Sequence, residues 1–349
     1  MKNKKASVLM ISLWILAILV ILAITIGHRA VISLKLARNQ RDGLKAYLYA
    51  KSGVYKAVAI LKEDAELGSP AENYDTKEAC GVNLEDKEPE TFFVQEFENG
   101  TGDFTVAYYD SKGEVFYGMS DEYGKVNINI STDAQNNKFE RDVVIDLFTN
   151  YDIGNADELV DTIIAWIDPN AIISKAKKEN FNSLEELLLV FEYYYREVNK
   201  DLTEDPRKQA QITYAKIKDS LRVVGDKKIN INTASDEIIT AFSSATAKTA
   251  PLPPGIDLND YLTAANQLVV ELTDYLKGYL FKSNSELDVF LNSLTDPAEK
   301  NIAGILRPLL EVKSDFFRIE STGISGRIEK KITAIYDRPN KSFLYWKEN

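Results

Sequence analysis

The chain has 349 residues, 45% hydrophobic and 10% aromatic, which is material for a large core and more than one structural unit. Its net charge of -11 and pI near 4.9 argue against nucleic acid as a partner, because such binders displace counterions with a basic face. The single cysteine, Cys80, excludes an intrachain disulfide, so the fold rests on packing or on bound metal.

The first element is apolar. No charge occurs between Lys5 and His28, and at about 1.5 Å per helical residue that run crosses a hydrocarbon core of roughly 30 Å. It is longer than the apolar core of a secretory signal peptide, and the small residues Ala6 and Ser7 precede it instead of following it. Lys2, Lys4 and Lys5 ahead of the span place the short N-terminus in the cytoplasm, a vote that Arg29, Lys35, Arg38 and Arg41 weaken without reversing. His28, the only histidine, marks the membrane edge. On these residues alone, a plain single-pass anchor or an uncleaved signal is the bland reading, and it leaves other roles for the span open.

Beyond the span, Leu36, Gly43, Tyr47, Ala50, Val54, Ala57 and Leu61 recur at helical spacing, the narrow stripe of a helix that packs along its length against another. A juxtamembrane helix folding back on its own domain is the plainer alternative. The expectation is one helix over 7–62, membrane-embedded over 7–27 and about 80 Å long. Residues 63–90 are polar and acidic and read as a loop. "TFFVQEF", "DFTVAYYD" and "EVFYGM" then read as an antiparallel meander, and near the other end "FFRIEST", the turn "GISG", "RIEKKITAIYD" and "KSFLYW" read as further strands. If both groups share one sheet, the helical stretch between them is an insertion.

That stretch repeats itself. "GKVNINI" returns as "DKKININ", and "FNSLEELLLV" as "FKSNSELDVF", about 100 residues later. Ser183 with Glu186 and Ser283 with Glu286 are spaced as capping boxes, with Phe181 and Phe281 near the staple position. Asn232, Thr233 and Ser235 suit local turn and cap bonds, and Ile238, Ile239 and Phe242 suit a buried face. Short helices in this pattern resemble helix-hairpin-helix or SAM-like modules, but few basic residues surround Asn232, so nucleic acid is not expected. Asp157, Glu158, Asp161 and Asp168 read as a solvated face in preference to calcium ligands. No nucleophile elbow, phosphate loop or Cys/His cluster is visible, so catalysis is not expected.

Taken in order, "DEYGKVNIN", "WIDPN", "SLEELLLV", "KININTASDEIITAF" and "SDFFRIESTG...ITAIYDRP" behind a pilin-like helix resemble the minor pseudopilin K family of type II secretion (general secretion pathway protein K). The resemblance implies an α+β fold with a long N-terminal transmembrane and amphipathic helix, a pseudopilin-type antiparallel sheet, and a large all-α SAM-like or helix-hairpin-helix-like insert. The implied domains are a leader over 1–6, the helix over 7–62, sheet over 63–125, an insert of two related repeats over 126–312, and sheet again over 313–349. It further implies cleavage by a prepilin peptidase between Ala6 and Ser7, N-methylation of Ser7, and Ile11 where most pilins carry glutamate. Implied partners are minor pseudopilins I and J, the major pseudopilin, the prepilin peptidase and the inner membrane. The implied place is the inner membrane, with the bulk of the chain periplasmic. The implied role is capping the tip of the pseudopilus, starting its assembly and supporting export of folded proteins. Calcium in the helical domain is also implied, without assigned ligands, and the stretch after "WIDPN" departs most from the family pattern. The rival readings are a minor pilin of a type IV pilus or competence system, a membrane-anchored enzyme, and a DNA-uptake receptor.

Overall fold

A computed structural model describes residues 3–67, 74–77, 89–97, 102–110, 113–133, 137–199 and 204–349, with the side chains of residues 3–8 and 65–67 and of Pro89 left out of the description. Cys80 and most of the acidic loop expected over 63–90 fall outside the described residues.

Helix α1 (Asn3–Leu67) is continuous for 65 residues, about 100 Å, because no proline or glycine pair interrupts it. It therefore runs past the expected end at 62. Its large side chains from Leu9 to Leu36 are all at least half exposed. The packed stripe begins later than its spacing suggests: Leu36 is 57% exposed, while Ala46, Ala50, Val54, Ala57 and Leu61 are fully buried. The surface it meets is the chain's own sheet, so the folding-back alternative holds for this half of the helix.

Small residues decide that contact. A Cβ on Gly53 would fall 2.1 Å from Ser321 Oγ, and one on Gly323 would fall 2.2 Å from the Ala46 carbonyl oxygen and 2.3 Å from the Ala50 nitrogen. Helix and strand backbones approach more closely here than any side chain permits.

Among the described residues the sheet is antiparallel and has seven strands. It comprises β1 (Val94–Glu96), β2 (Asp103–Tyr109), β3 (Val115–Tyr117), β4 (Ser120–Asp121) and, after the helical stretch, three longer strands numbered β9 to β11. These are β9 (Phe316–Ser325), β10 (Ile328–Asp337) and β11 (Ser342–Glu348). The order is β1-β2-β9-β10-β11, with β3 on β2 and β4 on β9, so the two strand groups do form one sheet. Phe104, Val106, Phe317, Ile319, Ile332, Ala334 and Tyr336 alternate onto the face that α1 covers, and with its stripe they form one core. Two local expectations are corrected. "TFFVQEF" begins as a helical turn, α2 (Pro89–Phe93), because Pro89 sits at its start and Phe93 buries beneath it. "GISG" belongs largely to β9, and the turn is only Gly326 and Arg327, with Gly326 at φ +63.

The chain leaves the sheet at β4 and returns beside it at β9, with Asp121 opposite Phe317. Between them lie two units of four helices. The first opens with β5 (Val126–Asn127), continues through α3 (Lys138–Asn150), α4 (Ala156–Ile167), α5 (Leu187–Tyr193) and α6 (Pro206–Ile217), and closes at β6 (Leu221–Arg222), which pairs in parallel with β5. The second opens with β7 (Ile229–Asn230), continues through α7 (Asp236–Thr249), α8 (Leu258–Gly278), α9 (Asn284–Ser293) and α10 (Pro297–Leu306), and closes at β8 (Leu310–Glu311), parallel to β7. The units share one apolar core, with α3 beside α7 and Phe139 edge-on to Phe242 at 5.8 Å.

Asparagines set each unit's path. Asn127 Oδ1 accepts the Asn129 N–H at 3.0 Å, and Asn230 Oδ1 accepts the Asn232 N–H at 3.1 Å. Asn129 then brackets Phe181, accepting its N–H at 2.8 Å and donating to its carbonyl at 3.1 Å. Asn232 does the same to Phe281 at 3.1 and 2.9 Å. Asn232 thus reaches 49 residues ahead instead of bonding locally as expected. Phe181 and Phe281 are anchored through their backbones while their rings bury fully or nearly so. Glu186 takes the Ser183 N–H at 3.0 Å, as a capping box requires, whereas Glu286 takes the Lys282 N–H at 2.7 Å, one residue early.

Candidate functional site

Residues 3–8 are helical backbone, and the side chains of Ala6 and Ser7 lie outside the described residues. Ile11 is 57% exposed on a stretch of mean hydropathy 3.0, which makes α1 long and apolar enough to cross a membrane. His28 is exposed at the end of the uncharged run.

Residues of three quoted motifs, "DEYGKVNIN", "KININTASDEIITAF" and "SDFFRIESTG...ITAIYDRP", meet at one place, where the end of α1, the sheet and the helical units come together. Arg338, from "YDRP", donates to Asp64 Oδ2 at 3.2 Å and to both oxygens of Asp75, at 3.2 and 3.0 Å. It also donates to the Ser314 carbonyl. Asp75 in turn accepts the Ser314 N–H at 2.6 Å. The Ser314 hydroxyl donates to Asp121 Oδ1, and Asp121 Oδ2 accepts from Asn230 Nδ2 at 2.8 Å and Thr233 Oγ1 at 2.7 Å. Asp64, Asp75, Asp121, Asn230, Ser314 and Arg338 are all buried. Gly124 lets Thr233 come this close: a Cβ there would fall 2.9 Å from Thr233 Oγ1.

Burial pushes the Asp75 carboxyl up to about 6, with neighbouring Asp121 adding to the rise and Arg338 pulling the other way. A second buried cluster behaves oppositely. Burial alone would raise the Glu122 carboxyl, but Arg318 at 2.9 Å and Lys125 at 2.7 Å outweigh it and hold it at about 2. Behind it the fully buried Arg222 donates to the carbonyls of Lys125, Val224, Asp226 and Lys228 over the Tyr123 ring. Four carbonyl acceptors and a ring face replace the water that this guanidinium gives up. The chemistry of both clusters is that of a joint: each polar group ties one chain segment to another.

Ser235 is the N-cap of α7, but its hydroxyl has no hydrogen-bond partner and does not make the expected cap bond. The Thr233 hydroxyl bonds locally to the Asn230 carbonyl at 3.3 Å, as expected, and also reaches across to Asp121 at 2.7 Å. The four candidate cation ligands do not come together. Asp157 and Asp161 both hold Arg141, at 2.5 and 2.7 Å, Glu158 accepts from the Tyr194 hydroxyl at 3.4 Å, and Asp168 accepts the Asn170 N–H at 2.8 Å. A donor set occupied by a guanidinium does not fit calcium, and among the described residues no cluster of three His, Cys, Asp or Glu side chains is placed to hold a metal ion. Asp64, Asp75, Asp121 and Arg222 carry no periodic or spacing signal, which is why sequence reasoning passes over their roles.

No model of a known family matches the chain, and no curated protein does. Among solved structures, the chain is similar to a chain of the GspK-GspI-GspJ complex from the type 2 secretion system of enterotoxigenic Escherichia coli, at 15% identity and a TM-score of 0.49, over 90% of this chain and 99% of that one.

Proposed function

We propose that the chain is a minor pseudopilin of the K type, which sits at the tip of a periplasmic pseudopilus and supports export of folded proteins. The observation that carries this reading is α1 itself: one unbroken helix with an apolar half exposed all round and a second half welded to an antiparallel sheet. Among the described residues nothing of its own chain covers its first half, and membrane followed by neighbouring rods of the same kind would cover it. The order of the sequence motifs supports the assignment to type K.

The tip position follows from two features. In a pilin rod a buried glutamate neutralises the terminal ammonium of the subunit above, since an unpaired charge in hydrocarbon costs several kcal/mol. A topmost subunit has no such neighbour, which fits Ile11 at that position. The two four-helix units make a head wider than the rod, which blocks further addition. Processing between Ala6 and Ser7, methylation of Ser7 and periplasmic placement of the head belong to the same proposal.

Pull-down with residues 29–349 as bait tests it. The expected catch is the pair of minor pseudopilins I and J of the same secretion system. Recovery of type IV pilins in their place would move the chain to a pilus, and recovery of no pilin-like protein from a secretion-competent lysate would overturn the reading.

A further inference from the structure

The charge of this chain is divided by position. Of 42 Lys and Arg residues, eleven lie in residues 1–62, where Asp42 is the only acid among the 53. Residues 63–349 therefore hold 31 basic and 52 acidic side chains, an acidic head of -21 on a rod of +10.

Past the membrane the rod has three faces. One is buried on the sheet through Ala46, Ala50, Val54, Ala57 and Leu61. Leu44, Leu48 and Tyr55, spaced four and seven apart, form an apolar ridge that is 60%, 48% and 52% exposed. Arg38, Arg41, Lys45 and Lys56, spaced three, four and eleven apart, form a basic face beside that ridge. Among the described residues, Arg41 pairs with its neighbour Asp42 at 2.9 Å, and the Tyr55 ring meets the edge of Phe343 at 6.2 Å.

We propose that this ridge and its basic border dock an acidic amphipathic helix of another polypeptide, one whose apolar stripe is flanked by Asp and Glu. Charge and distance exclude the other occupants. Lys45 stands about 26 Å and Lys56 about 42 Å beyond His28 along the helix, several screening lengths from lipid headgroups. A second copy of the same rod would set like charges together, which costs stability. The chain's own sheet is packed on the rod's buried face, away from ridge and border. An opposing helix with a matching apolar stripe covers the ridge, and its acids meet the border, which sets register and partner choice. The inference rests on the pseudopilin reading only in expecting that the partner is a sibling subunit.

A photoactivatable phenylalanine analogue at position 48 of the full-length protein, irradiated in native membranes and followed by sequencing of the cross-linked peptides, tests this. The expected product joins residue 48 to a segment of another chain with acids three or four residues apart. Lys45→Glu with Lys56→Glu is expected to lower its yield about tenfold, and lysines at the mapped acids are expected to restore it. Arg38→Glu, at a fully solvated position, serves as the charge reversal should the double variant lose its melting transition. Adducts to lipid, to this chain or to a segment without acids overturn the proposal, as does a yield indifferent to charge reversal. An acidic helix from a protein unrelated to pilins would keep the proposal and sink the pseudopilin reading, and a sibling subunit caught through a neutral segment would do the reverse.

Discussion

Glu122 and Asp75 stand about as deep in the protein as each other, yet acid treats them in opposite ways. Glu122 has a folded-state value near 2 against an ordinary 4.5, so its contribution is present above pH 4.5 and is lost as pH falls toward 2. The shift corresponds to about 3 kcal/mol. Asp75 has a value near 6 against 3.8, so the folded state binds its proton more tightly, and stability rises as pH falls from 6 toward 3.8. Urea melts across this range should show Asp75→Asn without the rise between pH 6 and 4, and Glu122→Gln without the fall below pH 4.5. Glu122→Gln should also be less stable at pH 7, because Arg318 and Lys125 lose their counterion in a buried site. The asparagine brackets act at the same scale. Asn129→Ala removes three hydrogen bonds, to both ends of Phe181 and to the Val223 carbonyl, and should cost about 2 to 3 kcal/mol, read as a lower urea midpoint at unchanged slope. Asn232→Ala, at the equivalent place in the second unit, should lose a similar amount.

Among the elements, the contact between α1 and β9 is the one that tolerates least. Gly323→Ala pushes a methyl group into helix backbone and should destabilise by about 2 kcal/mol or more, whereas Gly43→Ala, whose Cβ meets only Ile328 Cδ1 at 4.0 Å, should gain up to about 1 kcal/mol from helix propensity. Thermal melting of the pair separates tight packing from propensity. Much of this layer is legible in sequence. The runs that became β2 and β9 alternate because α1 covers one side of them, and the repeat shows itself because each unit needs the same asparagine and the same helix start. Elements governed by a partner distant in sequence are not legible. Phe93 is helical because of what lies beneath it, and Leu36 keeps the helical spacing of the stripe but lies beyond the reach of the sheet. The joint around Arg338 is the extreme case, since the carboxylates on its guanidinium come from residues 64 and 75, Asp121 joins them through Ser314, and nothing in those local sequences announces the link.

At the scale of the molecule, the proposed leader gives a direct readout. Ala6→Leu should leave uncut precursor, about six residues heavier by mass spectrometry than the processed wild-type chain, and equal masses would remove the processing step from the proposal. The sheet that covers α1 also imposes an order of events. The strands that bury Ala46, Ala50 and Val54 come from β9 and β10, about 270 residues further along the chain. The rod is synthesised first, and its stripe waits uncovered until β9 and β10 have been made. A chain truncated anywhere before residue 316 therefore displays a sticky rod without its cover. Folding of the rod onto its sheet is thus completed by β9 and β10, and quality control that recognises exposed apolar helix would discard products that stop before them.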